Sequence, residues 1–468
     1  MKEAKQGRHA SAGAWQHKAA LAAAWLGGLC MAAAGVPGHA IAAVSADEAA
    51  ALKSALTPLG GEKAGSKDGV IPAWTGGMTS ASGPKVGDVP SAVFANEKPV
   101  MQITARNMVQ YADKLTDGTQ ALLKKYPDTF RVDVYPAHRT ASASPQVYDN
   151  TARNATRCKT REGGLSVEGC FGGIPFPIPR DGFEAIWNFL LRVQPESAQM
   201  GFKNIVGTSD GNRTIASRGE NNWNFPYYYK DGALENWSGK YLLQRFTTTE
   251  PPFRAGESLV AHDSIDAKQS REAWQYLVGQ RRVRRAPTVG YDTPDFMSSG
   301  AHYFDEVMGF AGDPGRYQWK LVGKKEMIVP YNANAFVTAK LDEAFVKHHV
   351  NPDKLRWETH RVWVVEATLA PGKRHAVPKR RFYLDEDSWT MSLADGYDAQ
   401  GNLWRTEQIP PFVVPSIPAV VVAQAIIYNL QADTYSSVVS LNGETYRVGT
   451  RKPDSFFTGE AAAADATR

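Results

Sequence analysis

From about residue 201 onward the chain repeats one pattern, short runs rich in Val, Thr and aromatic residues set between turn residues. Such runs read as strands at 213–218, 241–249, 273–283, 317–322, 327–331, 357–369, 380–384, 389–395 and 402–408. Tight turns at Val322-Gly323-Lys324-Lys325 and Asp398-Ala399-Gln400-Gly401 predict antiparallel hairpins. Helical interruptions are few, the main one at 340–349. The pattern predicts an α+β fold, a large curved antiparallel sheet covered by helices.

The preceding part, 43–200, has a different texture and is expected to join the strand-rich body 201–468 in one continuous domain. Ser45-Ala46-Asp47-Glu48 has the form of a capping box, and Ala49, Leu52 and Leu56 follow at helical spacing. Pro58-Leu59-Gly60-Gly61 stops that helix, and a Gly/Pro-rich extended segment runs to about 99. A second helix is predicted over 104–126, where Met108, Tyr111, Leu115, Leu122 and Leu123 form a stripe ended by Pro127. A third is predicted over 183–193, after Phe171 to Pro179, F-G-G-I-P-F-P-I-P, which holds too many prolines for a central strand and reads as an extended strap.

The first 42 residues have the order of a cleavable signal peptide. Lys2, Lys5, Arg8 and Lys18 precede an uncharged apolar run, 19–36, and Ala40-Ile41-Ala42 offers a cleavage triplet. Export to the periplasm is therefore expected, with Cys30 discarded along with the signal. The net charge of +5 then falls to near +2, so no basic field remains to attract nucleic acid. Cys158 and Cys170 are the cysteines left, and an even pair in an oxidising compartment predicts a disulfide contributing about 3 kcal/mol.

Catalytic and metal motifs are missing. The chain holds no G-x-S-x-G, H-E-x-x-H, P-loop or C-x-x-C pattern, so neither an enzyme nor a bound cofactor or metal is predicted. His348 and His349 are adjacent and so diverge, making poor joint ligands, while His262-Asp263 has no implied facing geometry. Asp385-Glu386-Asp387 lies between two strand-like runs and reads as an acidic hairpin tip in water. Arg281, Arg282, Arg284 and Arg285 must divide between the two faces of a strand, some pairing with carboxylates such as Asp292 and Asp295. Two strands carry large apolar faces, one with Trp274, Tyr276 and Val278, the other with Trp357, Trp363, Val365, Ala367 and Leu369. Packing on helices is the ordinary account of such faces. A cavity within the sheet would account for aromatic surface beyond what one helix layer covers.

Four motifs in order carry a resemblance over essentially the whole mature chain. They are the Leu56 to Gly77 entry, L-T-P-L-G-G-E-K-A-G-S-K-D-G-V-I-P-A-W-T-G-G; F-G-G-I-P-F-P-I-P at Phe171; G-Q-R-R-V-R-R-A-P at Gly279 with Y-D-T-P-D after it; and R-R-F-Y-L-D-E-D-S-W at Arg380. In these the chain resembles domain-of-unknown-function family 1329, which is similar in fold to the outer-membrane lipoprotein-sorting proteins LolA and LolB. The resemblance implies a half-open barrel around an apolar cavity, in a periplasmic protein that is peripheral to the outer membrane. It implies lipid binding by a carrier for a lipid-like or other hydrophobic ligand, working in envelope export or outer-membrane transport without chemical conversion. Partners implied are an inner-membrane exporter of the resistance-nodulation-division class and an outer-membrane protein; the alternative is a structural adaptor of such a complex that holds no small ligand. On this reading Trp274, Tyr276, Val278, Trp363 and Val365 form the ligand wall, and Arg282, in phase with Trp274 on an ideal strand, meets a head group.

Overall fold

The computed structural model describes residues 44–269, 271–287 and 289–466, so the expected signal segment 1–42, with Cys30, lies outside the described residues. Ser45 caps the first helix, α1 (Ala46–Ala50), in the expected box. Its hydroxyl accepts from the Glu48 amide at 3.2 Å, and the Glu48 carboxylate accepts from the Ser45 amide at 2.8 Å. The helix expected over 104–126 is two pieces. A 3-10 turn at Met108–Lys114 ends at Leu115, which is extended (φ −109, ψ 142), and Thr116 then caps α2 (Asp117–Lys125).

An unanticipated helix, α3 (Pro145–Arg157), begins on a Ser144 cap with proline in its first turn, and its buried face is polar, with Asn150, Thr151 and Asn154. That face serves the proline-rich strap, whose backbone cannot join a ladder and needs partners elsewhere. Asn154 donates to the carbonyls of Phe171, Gly173 and Ile174, while the Thr151 hydroxyl accepts from the Ile174 amide at 3.0 Å. From the other side Asn188, on α4 (Gly182–Leu190), both donates to Phe176 O at 2.6 Å and accepts from Phe176 N at 2.8 Å. The Cys158–Cys170 disulfide joins the end of α3 to the start of the strap, with Cα atoms 5.0 Å apart.

Three small ladders components come first: the hairpin β1 (Lys85–Val86) with β2 (Val89–Pro90), the pair β3 (Met101–Ile103) with β4 (Val132–Val134), and the hairpin β5 (Lys159–Arg161) with β6 (Ser166–Glu168). The long strands are β7 (Ser197–Gly207), β8 (Arg213–Asn224), β9 (Lys240–Glu250), β10 (Ser258–Ser264), β11 (Glu272–Leu277), β12 (Arg282–Arg285), β13 (Tyr317–Pro330) and β14 (Trp357–Leu369). After them come β15 (Lys379–Asp385), β16 (Met391–Tyr397), β17 (Leu403–Gln408), β18 (Phe412–Val414), β19 (Ala419–Val421), β20 (Ala425–Asn429), β21 (Thr434–Ser440) and β22 (Tyr446–Val448).

Sixteen of these strands share one sheet, in the order β12-β11-β10-β9-β8-β7-β21-β20-β17-β16-β15-β14-β4-β3, with β13 paired to β14 and β22 to β7. Every ladder is antiparallel except that of β14 with β4, a parallel contact at Trp357 and Val134, so the sheet is mixed. Its path ends at β12 and β3 without closing into a barrel. Helices are few and short. The expected helix over 340–349 is reduced to α6 (Leu341–Ala344), preceded by α5 (Asn334–Thr338), and the last element is α7 (Gly459–Ala466). Among the described residues no helix is long and apolar enough to cross a membrane.

Two strand expectations are corrected. The run 273–283 is not one strand, because a 3-10 turn at Val278–Gln280 and a left-handed Arg281 (φ 48) fold it into the β11–β12 hairpin. Conversely, 317–322 and 327–331 merge into β13, and Gly323 (φ 135) forms a bulge rather than a turn, since β14 offers a partner along the whole length. The turn at Asp398 forms as expected, its amide donating to Asn402 O at 2.9 Å.

Asp395 on β16 ties α2 to the sheet, accepting from the Gly118 amide at 3.2 Å and the Thr406 hydroxyl at 2.8 Å. Burial pushes its carboxyl up to about 7. Its folded value therefore lies above the unfolded one near 4, and the native state holds the extra proton between those limits. Stability from this group is lost as pH rises through that window. Asp395→Asn abolishes the titration, so denaturant titrations at pH 5 and 8 should show the variant gaining on the wild type at the higher pH by about 2 kcal/mol. A difference independent of pH would contradict this.

Candidate functional site

Strand alternation builds one wall of an apolar pocket. On β9, Leu242, Gln244 and Phe246 stand directly across from Asp263, Ala261 and Leu259 on β10, and all six point into it. Trp223 on β8, opposite Gln244, extends the same face. The roof comes from 289–312, which contributes Val289, Met297, Phe304, Met308 and Phe310. The cavity is about 70 Å³. Ligand sites are commonly about 300–1,000 Å³, so a chain-sized guest requires the roof to move.

The roof is pinned by buried charges. Asp305, in the 3-10 segment Phe304–Gly309, accepts from Arg380 at 3.0 Å and meets His375 Nε2 at 2.9 Å; Arg380 also donates to Glu407 at 3.2 Å, and Arg405 to the neighbouring Glu306 at 2.8 Å. Burial pushes the Asp305 carboxyl up, but Arg380 and His375 outweigh it and hold it below the usual range. Burial drives Glu407 the other way, well above its usual value.

Polar groups in the pocket are few, and most are committed. Arg271 clasps Asp263 with two bonds of 2.7 and 2.8 Å, and Asp295 accepts from the Met297 amide at 2.8 Å, with His302 Nε2 at 3.0 Å. Arg192 differs. It follows α4, is 6% exposed, donates to Phe189 O at 2.8 Å and lies 4.5 Å from the Phe189 ring centroid. Among the described residues it forms no ion pair with a carboxylate, and its buried Nε has no hydrogen-bond partner. Burial pulls its pKa down to about 10.

Residues singled out from the sequence lie elsewhere. Trp274 and Tyr276 on β11 are across from Val260 and Ser258, which place them on the face of the sheet turned away from the pocket. There Tyr276 packs with Leu243, Val260, Phe457 and Ala462, and Trp274 and Val278 border that cluster beside α7. Arg282 is exposed on β12, across from Leu277, and the chain reversal at 278–281 takes it out of phase with Trp274. Val365 is buried in the main core. Trp363 is half-buried, stacked 6.1 Å from Trp389 with Lys324 Nζ 4.8 Å above its ring. The structure thus gathers Trp274, Tyr276 and Val278, but around the C-terminal segment. Arg281, Arg284 and Arg285 are exposed too; Arg285 pairs with Glu272 at 3.2 Å, not with Asp292 or Asp295. His262 and Asp263 face apart, His262 Nε2 lying 2.7 Å from Phe457 O. Among the described residues no group of His, Cys, Asp or Glu is arranged to hold a metal ion.

The family model described as a protein of unknown function, DUF1329, matches residues 102–463. The chain belongs to the DUF1329 family. It is also similar to an uncharacterized protein of Pseudomonas aeruginosa, PA3922, with 42% identity over 380 residues, covering 78% of this chain and 81% of that one. Among solved structures, it is similar to a DUF1329 family protein from Desulfovibrio piger at 13% identity and a TM-score of 0.42, covering 60% of this chain and 97% of the other. A LolA superfamily protein from Nitrosomonas europaea, NE2245, matches at 12% identity and a TM-score of 0.34, over 58% and 94% of the two chains.

In this DUF1329 protein two of the four sequence motifs hold each other. Asp385, Glu386 and Asp387 were expected in water; they are buried, at 0%, 2% and 2% exposure. Arg139 clasps Asp387 with bonds of 2.7 and 2.6 Å while donating to the carbonyls of Glu62, Lys63, Ala64 and Pro72 in the entry segment. Lys324 and Arg361 bind Glu386 at 2.8 and 3.1 Å. The acidic triplet is thus an anchor for the N-terminal strap.

Sequence reasoning missed the pocket residues for a plain reason. Tyr241-Leu242-Leu243-Gln244-Arg245-Phe246 is apolar on both faces, so its alternation does not select one. Arg192 did leave a signal, a single cation in the otherwise uncharged run 185–193.

Proposed function

We propose that this protein binds a lipid-like or other hydrophobic molecule in the pocket between β8–β10 and the 289–312 roof, and carries it unchanged within the cell envelope. The apolar pocket under a roof held by side-chain bonds supports this reading. Each buried methylene of a guest contributes about 0.8 kcal/mol, so a short chain is enough for useful affinity. Asp263 and Arg271 are spent on each other, which fits binding rather than turnover. The envelope location is read from the signal peptide expected over residues 1–42.

Native mass spectrometry after gentle extraction tests the proposal: apolar molecules should accompany the wild type. Ala261→Phe fills the pocket floor and should purify empty, with at least about 10-fold weaker binding of the apolar dye 1-N-phenylnaphthylamine, equivalent to 1.4 kcal/mol. Wild-type protein that is empty and ignores the dye overturns the carrier. If it is nonetheless retained by the periplasmic domain of a resistance-nodulation-division exporter, the adaptor reading takes its place.

A further inference from the structure

Arg192 is a buried cation without a counter-charge among the described residues. Desolvating a guanidinium is costly, and proteins ordinarily offset the cost with a carboxylate. Here the ring beside the guanidinium is that of Phe189, and Trp223, Phe225 and Tyr241 line the same pocket. Nε and Nη2 share one edge of the planar fork, the edge that takes a carboxylate or phosphate side-on. In Arg192, Nη1 is bound to Phe189 O, whereas among the described residues Nε is unpartnered and Nη2 has only the Met308 sulfur at 3.9 Å. Met308 belongs to the roof, so the open edge is turned to the pocket and covered by a weak, displaceable acceptor.

We propose that Arg192 receives the anionic head group of a single-chain amphiphile, a carboxylate or phosphate monoester, whose apolar chain lies along Leu242, Phe246 and Leu259. The assignment rests on the carrier reading above and narrows its ligand class. The head group supplies the missing counter-charge and displaces Met308, coupling recognition to movement of the roof.

Displacement of 1-N-phenylnaphthylamine from the wild-type protein by tetradecanoic acid, tetradecyl phosphate and methyl tetradecanoate tests it. At least one of the two anions should compete about 10-fold or more better than the uncharged ester, as a charge-assisted bond in a buried site requires. The stronger of the two identifies the head group. Arg192→Met should reduce both anions to the level of the ester without changing the ester, and Arg192→Lys should restore part of the preference. Equal competition by acid, phosphate and ester in the wild type overturns the head-group role while leaving the carrier intact. Failure of the dye and of all three compounds to bind overturns the carrier and the head-group role together. Should Arg192→Met not fold, the wild-type ratio of anion to ester decides.

Discussion

Arg139→Met is expected to destabilise the protein by about 3–5 kcal/mol, the cost of stranding a buried charge. Arg139 and Asp387 are both nearly inaccessible, and Asp385 and Glu386 lie beside them. Burial already pushes the carboxyls of Asp385 and Glu386 upward, with the Asp387 charge adding to both. Removing the guanidinium strips Asp387 of its two charge-assisted bonds and takes a donor from four carbonyls of the entry segment at once. Chemical denaturation at pH 7 measures the loss, and Arg139→Met with Asp387→Asn should recover part of it because the stranded charge is gone. A loss below about 1 kcal/mol would show the cluster to be solvated.

Arg380→Met should cost a similar amount, about 3–5 kcal/mol, and should also loosen the pocket roof. Arg380 joins Asp305 of the roof to Glu407 of the sheet, and reaches Gly309 O at 3.3 Å. Without it, burial raises the Asp305 carboxyl instead of Arg380 lowering it. A folded pKa raised above the unfolded one loses stability as pH rises, so the deficit should shrink as pH falls toward 4. Limited proteolysis should cut 289–312 sooner in the variant, and bound dye should exchange faster. A stable variant with an unchanged cleavage pattern would mean that packing alone holds the roof.

How much of this was legible varies by element. The capping box at Ser45, the strand 357–369 and the turn at Asp398 depend on local backbone chemistry, and each forms where the residues place it. Helix α3 was not legible by apolar spacing because its inner face is Asn and Thr, which bond the backbone of the proline-rich strap. The acidic triplet reads as surface only because its cations, Arg139, Arg361 and Lys324, come from three other segments.

From the sequence alone came the strand-rich α+β class, the disulfide pair and, through four ordered motifs, the DUF1329 family. The class follows from local propensity and period, the disulfide from an even cysteine pair, and the family from the order of the motifs, all of which a linear chain displays directly. Only the tertiary structure decided which face of β9 and β10 is the pocket and that Arg192 lines it without a carboxylate partner among the described residues, whereas Arg282 is exposed. A period of two assigns residues to faces but does not say what covers each face; on one side that is 289–312, on the other the C-terminal segment.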